Sequence, residues 1–212
     1  METQRWVIAS NNPGKLKEIR QLLAPYAIDL VPQSHLGVAE ADEPYATFVE
    51  NALTKARAAS LATGLPALAD DSGICVGALG GAPGVHSARY APALAGSDRQ
   101  TQDQRNNAYL LDALAGMTHR QAHYYCVVVW VRHADDPQPV IAEGEWHGQI
   151  LVQGRGTAGF GYDPLFWIEG LGRTVAELSA VEKNQFSHRA QAMAQLFSRL
   201  VARGYLQGTG SV

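Results

Sequence analysis

The sequence has little of several features that mark common protein classes. It has two cysteines, Cys75 and Cys126, in apolar surroundings and without metal-ligand spacing. It contains no run of about 18 apolar residues that could span a membrane, and its first residues lack the long apolar core of a signal peptide. Two reduced cysteines and no membrane span predict a cytoplasmic protein.

An excess of positive charge is also missing. The chain carries 17 Lys and Arg against 20 Asp and Glu, a formal charge of -3. Nucleic acid backbones select positive surfaces, so no nucleic acid partner is predicted. No Walker A loop occurs, and no G-x-G-x-x-G follows the first apolar run, which argues against a dinucleotide-dependent oxidoreductase.

The composition is that of a globular protein, with 212 residues of which 46% are hydrophobic and 17% charged. This length suffices for one large domain or two lobes that share a cleft. We predict a single domain over residues 1–205 and a flexible tail over 206–212.

Hydrophobic periodicity and capping residues predict alternating strands and helices. Strands are predicted at residues 6–9, 28–31, 65–69, 122–131 and 140–152. Helices are predicted to begin at Pro13 behind an Asn12 cap, at Thr47, at Gln102 and at Ser187. Strand 122–131 is expected to be central, with 140–152 as its antiparallel partner. Capping boxes are predicted at Thr47–Glu50 and Thr174–Glu177.

An unusual pair of acids, Asp70 and Asp71, follows the apolar run 65–69 and precedes Ser72. Adjacent carboxylates repel, so they need a cation or a basic partner, and Mg²⁺ prefers oxygen ligands of this kind. The alternative is a strand that ends in an Asp-Ser-Gly turn.

The loop Ser10-Asn11-Asn12-Pro13-Gly14-Lys15 joins the first strand to a helix N-terminus. Free backbone N–H groups and the positive end of the helix dipole favour phosphate there. An ordinary capped helix would explain Asn12 and Pro13, but not Lys15, because the dipole disfavours a cation at this end. A bound anion would offset that cost.

Three further regions leave two interpretations open. The glycine-rich stretch 154–167 contains aromatics that could stack on a nucleobase or simply precede a core strand. On the second helix, Asn51 and Lys55 could face a cleft or water, and Arg57 is expected to face water. Arg89 could bind a phosphate or form a surface ion pair. His123, His133 and His147 are interpreted as structural.

Four stretches together resemble one known family. They are Ser10-Asn-Asn-Pro-Gly-Lys15, Ala69-Asp-Asp-Ser-Gly73 with Gly80-Gly-Ala-Pro-Gly84, Gly159-Phe-Gly-Tyr-Asp163-Pro, and Ser187-His-Arg189. In this order they resemble the inosine/xanthosine triphosphate pyrophosphatases, the Ham1-like nucleotidases. Family members often have Thr-Gly-Asn or Ser-Gly-Asn in the first stretch, which leaves the role of the Asn11 side chain open.

The resemblance implies an α/β fold with a long mixed sheet flanked by helices, two lobes with a nucleotide cleft between them, and a homodimer. It implies Mg²⁺-dependent hydrolysis of a purine nucleoside triphosphate to the monophosphate and pyrophosphate. Asp71 would be the proton acceptor and, with Glu43, a metal ligand, while the role of Asp42 stays open. The residues implied to bind substrate are Ser10, Asn11, Asn12, Pro13, Gly14, Lys15, Ser72, Phe160, Gly161, Tyr162, Asp163, Lys183, His188 and Arg189.

Base selection follows from hydrogen-bond chemistry. ITP, dITP and XTP present a 6-oxo acceptor, whereas adenine presents a 6-amino donor. A donor such as Lys183 or Arg189 would be left unpaired by adenine, at a cost of roughly 1–3 kcal/mol. The alternatives are a related pyrophosphatase with another base specificity and a nucleotide-binding protein without catalysis. Bare carboxylates beside phosphate argue against the second alternative.

Overall fold

Seven strands form one mixed sheet in the order β2-β1-β3-β4-β5-β6-β7. The computed structural model describes residues 3–207. The strands are β1 Gln4–Ile8, β2 Ile28–Pro32, β3 Ala67–Val76, β4 Gln121–Val131, β5 Val140–Ile150, β6 Phe166–Ile168 and β7 Arg173–Thr174. The α-helices are α1 Pro13–Leu23, α2 Phe48–Thr63, α3 Arg99–Ala113, α4 Ala180–Phe186 and α5 His188–Ala202. Short 3-10 helices lie at Gln33–Leu36, Gly77–Leu79, Gly84–Arg89, Glu169–Leu171 and Val175–Glu177.

The sheet combines parallel and antiparallel pairs. Strand β1 pairs in parallel with β2 on one side and with β3 on the other. Strands β5, β6 and β7 pair antiparallel in succession. Helices α1 and α2 connect the three parallel strands, as parallel pairing requires. The predicted α/β fold with a mixed sheet flanked by helices is therefore confirmed, and β4 is the central strand, as expected.

The chain divides into two compact units, each with its own apolar core. Of the described residues, the first unit comprises 3–71, 126–144 and 188–207. Its core includes Trp6, Leu68, Val128, Met193 and Leu196. The second unit comprises residues 72–125 and 145–187, and its core includes Ile74, Leu110, Tyr124, Phe166 and Leu178. The single domain over 1–205 and the cleft stay predictions.

Side-chain caps fix the helix starts, largely as the sequence predicts. The side chain of Asn12 accepts from the N–H groups of Gly14 and Lys15 at the start of α1. Thr47 accepts from the Glu50 N–H, but the Glu50 carboxylate binds the Thr47 hydroxyl rather than its N–H. The predicted capping box at α2 is thus only half formed, whereas that of Thr174 is complete.

Strand β3 corrects one prediction. The apolar run was expected to end in a turn or a strand end at Ala69, but β3 continues through both acids to Val76. Neighbouring residues of a strand point to opposite faces, so Asp70 and Asp71 meet different partners. Lys15 pairs with Asp70 on one face, and Lys55 and Asn51 contact Asp71 on the other. Both carboxylates therefore have partners while the strand continues.

Other element boundaries shift by a few residues. Helix α3 begins at Arg99 because Asp98 caps it by accepting from the Thr101 N–H. The basic segment before the last helix forms a separate helix, α4, capped by Ser179. Leu206 is buried against the first core, and residues 208–212 of the predicted tail lie outside the described part. Within residues 3–207, no helix combines the length and apolar character that a membrane span needs.

Candidate active site

The loop from Ser10 to Lys15 lies between β1 and α1, as predicted. The Asn12 Oδ1 atom lies 3.0 Å from the Gly14 nitrogen, and the Asn12 N–H donates to the Ser10 hydroxyl. Lys15 lies in the first turn of α1, where the dipole disfavours a cation. Its ammonium lies 2.9 Å from the Asp70 Oδ2 atom, so a carboxylate of the protein itself offsets that cost.

Asp70 lies in a buried ionic network on one face of β3. Its Oδ2 atom accepts from Arg189 Nη2 at 3.1 Å as well as from Lys15. Arg189 also binds Glu18 of α1. Asp70 and Arg189 are each 1% exposed. Burial would raise the pKa of Asp70, but the charges of Lys15 and Arg189 outweigh it and hold that pKa far below its usual range.

Asp71 lies in a different environment on the other face of β3. Its Oδ1 atom is 3.2 Å from Lys55 Nζ, and the same ammonium is 2.6 Å from Glu43 Oε1. Burial raises the pKa of Asp71. Lys55 and Lys15 lower it, but Glu43 and Asp70 raise it further, and the net direction is upward. Asp71 is therefore the more basic carboxylate of the pair.

Asn51 connects Asp71 to the acidic loop. Its side chain donates to the Tyr45 carbonyl and accepts from the Tyr45 N–H, both at 3.1 Å. The same amide nitrogen lies 3.4 Å from Asp71 Oδ2. Asn51 is fully buried. Because Tyr45 is two residues from Glu43, this amide restrains the loop that carries the second predicted metal ligand.

Lys55, Asn51 and Glu18 are site residues that the sequence reasoning missed or left undecided. Asn51 and Lys55 are four residues apart on α2, so they share one face of the helix. Asn51 and Lys55 lie next to Ala52 and Ala56, which are small and buried. This neighbourhood is the sequence signal that could have indicated that Asn51 and Lys55 face the protein interior. Among the described residues, no group of three or more His, Cys, Asp or Glu is arranged to hold a metal ion.

A second cluster lies in the other unit, around Asp163. Lys183 Nζ lies 2.7 Å from Asp163 Oδ2, which also accepts from the Phe160 N–H. The Tyr124 hydroxyl donates to the second carboxylate oxygen at 3.0 Å. The Lys183 ammonium lies 4.5 Å from the centre of the Phe160 ring. The structure thus brings together three of the residues predicted for the nucleoside pocket.

The remaining predicted residues take other places. Tyr162 is buried and donates its hydroxyl to the Ser87 carbonyl, so it supports the loop from within the core. Ser72 is half-buried in β3. His188 and Arg189 begin α5 in the first unit, where Arg189 binds Asp70 and Glu18. The pocket roles of these residues stay predictions.

Comparison with known proteins decides the family. The model of the Ham1 family matches residues 6–199. This chain belongs to the Ham1 family. The predicted resemblance is confirmed, and so is the fold: a Ham1 protein from Coxiella burnetii is 43% identical, with a TM-score of 0.84 over 94% of this chain and 99% of that one.

Curated Ham1 relatives carry a common name. A protein named dITP/XTP pyrophosphatase from Ralstonia nicotianae is 64% identical over 93% of this chain and 96% of its own length. One of the same name from Nitrosomonas europaea is 62% identical over 92% of this chain and 93% of its own. A structure titled nucleoside-triphosphatase / dITP/XTP pyrophosphatase from Mycobacterium abscessus has 38% identity and a TM-score of 0.70, covering 91% of this chain and 98% of that one.

Proposed function

We propose that this Ham1-family chain hydrolyses non-standard purine nucleoside triphosphates, dITP, ITP and XTP, to the monophosphate and pyrophosphate. The observation that carries the proposal is Asp71, a carboxylate of raised pKa that shares Lys55 with Glu43. The names of the close relatives bear out the predicted activity of an enzyme that cleaves triphosphate anhydride bonds.

The phosphate chain binds at the loop from Ser10 to Lys15. The positive end of the α1 dipole and the Lys15 ammonium supply the positive potential that a triphosphate needs, while the N–H groups of Gly14 and Lys15 donate to the Asn12 side chain. Asp70 competes for Lys15 at 2.9 Å, but Arg189 also neutralises Asp70. The network therefore keeps Lys15 oriented without leaving an unpaired buried charge.

The residues present fit a Mg²⁺ site in which the protein supplies two carboxylates and the substrate phosphates supply further oxygen ligands. Glu43 and Asp71 already converge on one cation, the Lys55 ammonium. Mg²⁺ in nucleotide enzymes commonly takes one or two carboxylates plus substrate phosphates, so two acids suffice. When bound, the ion would neutralise charge on the triphosphate and the leaving pyrophosphate.

Asp71 would orient and deprotonate the water that attacks the α-phosphorus. A base must be ionised at the working pH yet basic enough to take a proton, and a raised pKa moves a carboxylate toward that balance. Burial is the first cause of this shift, and the two neighbouring acids add to it. The charge of Lys55 opposes this shift.

The cluster around Asp163 would select the base. An ammonium group carries N–H donors and no acceptor, so the Lys183 side chain, which donates to Asp163, suits a 6-oxo acceptor rather than a 6-amino donor. Phe160 offers an aromatic face beside it. Arg189 was the second predicted donor, but its contacts with Asp70 and Glu18 favour Lys183 for this role.

We also propose that the enzyme works as a homodimer in the cytoplasm, with no nucleic acid or membrane partner. Both cysteines are free, which suits a reducing compartment. Light scattering of the purified protein tests the dimer, and a monomer at micromolar concentration would contradict it.

The decisive experiment is hydrolysis of ITP, XTP, GTP and ATP with and without Mg²⁺, separating pyrophosphate from orthophosphate. We expect Mg²⁺-dependent pyrophosphate release from ITP and XTP and little from ATP or GTP. Equal rates on all four nucleotides would favour a pyrophosphatase of different specificity. Nucleotide binding without turnover would favour the non-catalytic alternative.

A further inference from the structure

Helix α3 contains none of the predicted site residues, yet two of its side chains form hydrogen bonds with the loop from Phe160 to Asp163. Asp103 Oδ2 accepts from the Gly161 N–H at 2.8 Å. The Asn107 side chain donates to the Gly161 carbonyl at 2.9 Å. Asp103 and Asn107 are four residues apart, so they share one face of the helix.

The two contacts fix both peptide planes that flank Gly161. One involves the peptide shared with Phe160 and the other the peptide shared with Tyr162. Gly161 has a φ of +61°, a conformation that side chains with a Cβ rarely adopt. The loop therefore makes a sharp turn at a residue with no side chain of its own to hold it. Asp103 and Asn107 stabilise this turn through their hydrogen bonds from α3.

Helix α3 is also held in place by contacts that do not involve Asp103 or Asn107. The buried side chain of Asn106 accepts from the Ala91 N–H at 2.9 Å and donates to the Ser87 and Ala88 carbonyls. Removal of Asp103 or Asn107 would leave these bonds in place. The helix thus provides a fixed support from which the two side chains reach the loop.

We infer that Asp103 and Asn107 are positioning residues for base recognition, which hold Gly161 so that Phe160 and Asp163 keep Lys183 in place. The inference rests on the proposed function, because it assumes that this loop contacts the nucleobase. Phe160 donates its N–H to Asp163, and its ring lies beneath the Lys183 ammonium. Displacement of Gly161 would move both contacts.

The test uses Asp103→Ala and Asn107→Leu in the full chain. Each is expected to raise KM for ITP about five- to tenfold and to lower the ITP-to-ATP preference, with kcat within about twofold. Asp103→Asn keeps an acceptor oxygen and is expected to stay close to the parent. Gln104→Leu, at an exposed position of the same helix, is the matched control.

Calorimetric binding of IMP gives a readout that does not depend on turnover. Weaker IMP binding in Asp103→Ala and Asn107→Leu, with AMP binding unchanged, would support the inference. Unchanged IMP binding and ITP KM, with only a lower melting temperature, would overturn it and leave a packing role. A parent enzyme that prefers neither ITP to ATP nor IMP to AMP would instead refute the proposed base specificity.

A double variant sharpens the result. Both side chains hold the same residue, so once one contact is lost the other should matter less. We expect the combined change in KM to be smaller than the product of the two single changes. If the change in KM of the double variant equals the product of the two single changes, the side chains act separately. That result would contradict the inference that they position Gly161 together.

Discussion

The two faces of β3 place the same residue type in opposite electrostatic environments. Asp70 is held by Lys15 and Arg189, and its pKa falls. Asp71, the next residue, shares Lys55 with Glu43, and its pKa rises. The difference teaches that two cations around one acid lower its pKa, whereas one cation shared by two acids does not prevent a raised pKa, which is what the proposed role of Asp71 as a base requires.

The largest expected effect is on turnover in Asp71→Asn. Loss of a general base costs typically 10²–10⁴-fold, so we expect kcat for ITP to fall about a thousandfold. ITP binding should survive, because Lys15 and its loop are untouched. The exposed Asp112→Asn is the control for removal of one negative charge. Turnover near the parent level would remove Asp71 from the chemistry.

Asp70→Asn should instead damage stability. It leaves Arg189 and Lys15 without their shared partner in a buried site, and breaking a buried pair costs about 3–5 kcal/mol. Asp71→Asn should change the free energy of unfolding by less than about 1 kcal/mol, because a raised pKa means that folding disfavours its charge. Denaturant unfolding of both variants measures this, and equal losses would contradict the contrast.

The pH profile should separate the two acids. A lowered pKa means that the stability due to Asp70 is present above its unfolded value of 3.8 and is lost only as pH falls through the lower folded value. The acid limb of kcat/KM should instead lie above pH 3.8, because it follows Asp71. Lys55→Met should move that limb to higher pH, since it removes a charge that lowers the pKa of Asp71.

The exposed Lys17→Met is the control for the loss of a positive charge. It should leave the acid limb where the parent has it. An unmoved limb in Lys55→Met would show that Asp71 is not the group that titrates. Profiles of kcat/KM for ITP across the acid range supply the measurement.

The smallest expected effect comes from Asn51→Ala. The variant frees the Tyr45 backbone and removes a donor from Asp71. We expect kcat/KM to fall about tenfold, together with weaker activation by Mg²⁺, because the loop of Glu43 loses its restraint. Arg57→Ala, at an exposed position of the same helix, should resemble the parent. Unchanged Mg²⁺ activation would contradict the restraint.

The sequence predicted the elements better than the contacts between them. Caps and periodicity are local, so Asn12 and Thr47 located α1 and α2. The extension of β3 through its acids could not be read locally, because it depends on charges brought in by α1, α2 and α5. Arg189 reaches Asp70 across 119 residues of chain. Asp103 and Asn107 likewise have no local signal, since the backbone they bind is more than 50 residues away.

The strand register of β3 has an evolutionary consequence. Substitutions at Asp70 and Asp71 each affect one face of the strand. A single-residue insertion or deletion between Leu68 and Asp70 would instead exchange the faces, because side chains alternate with a period of two. Asp70 would then face Lys55 and Asp71 would face Arg189. Descendants of this gene are therefore expected to vary in length in the loops on either side of β3, but to keep the residue count of the strand itself.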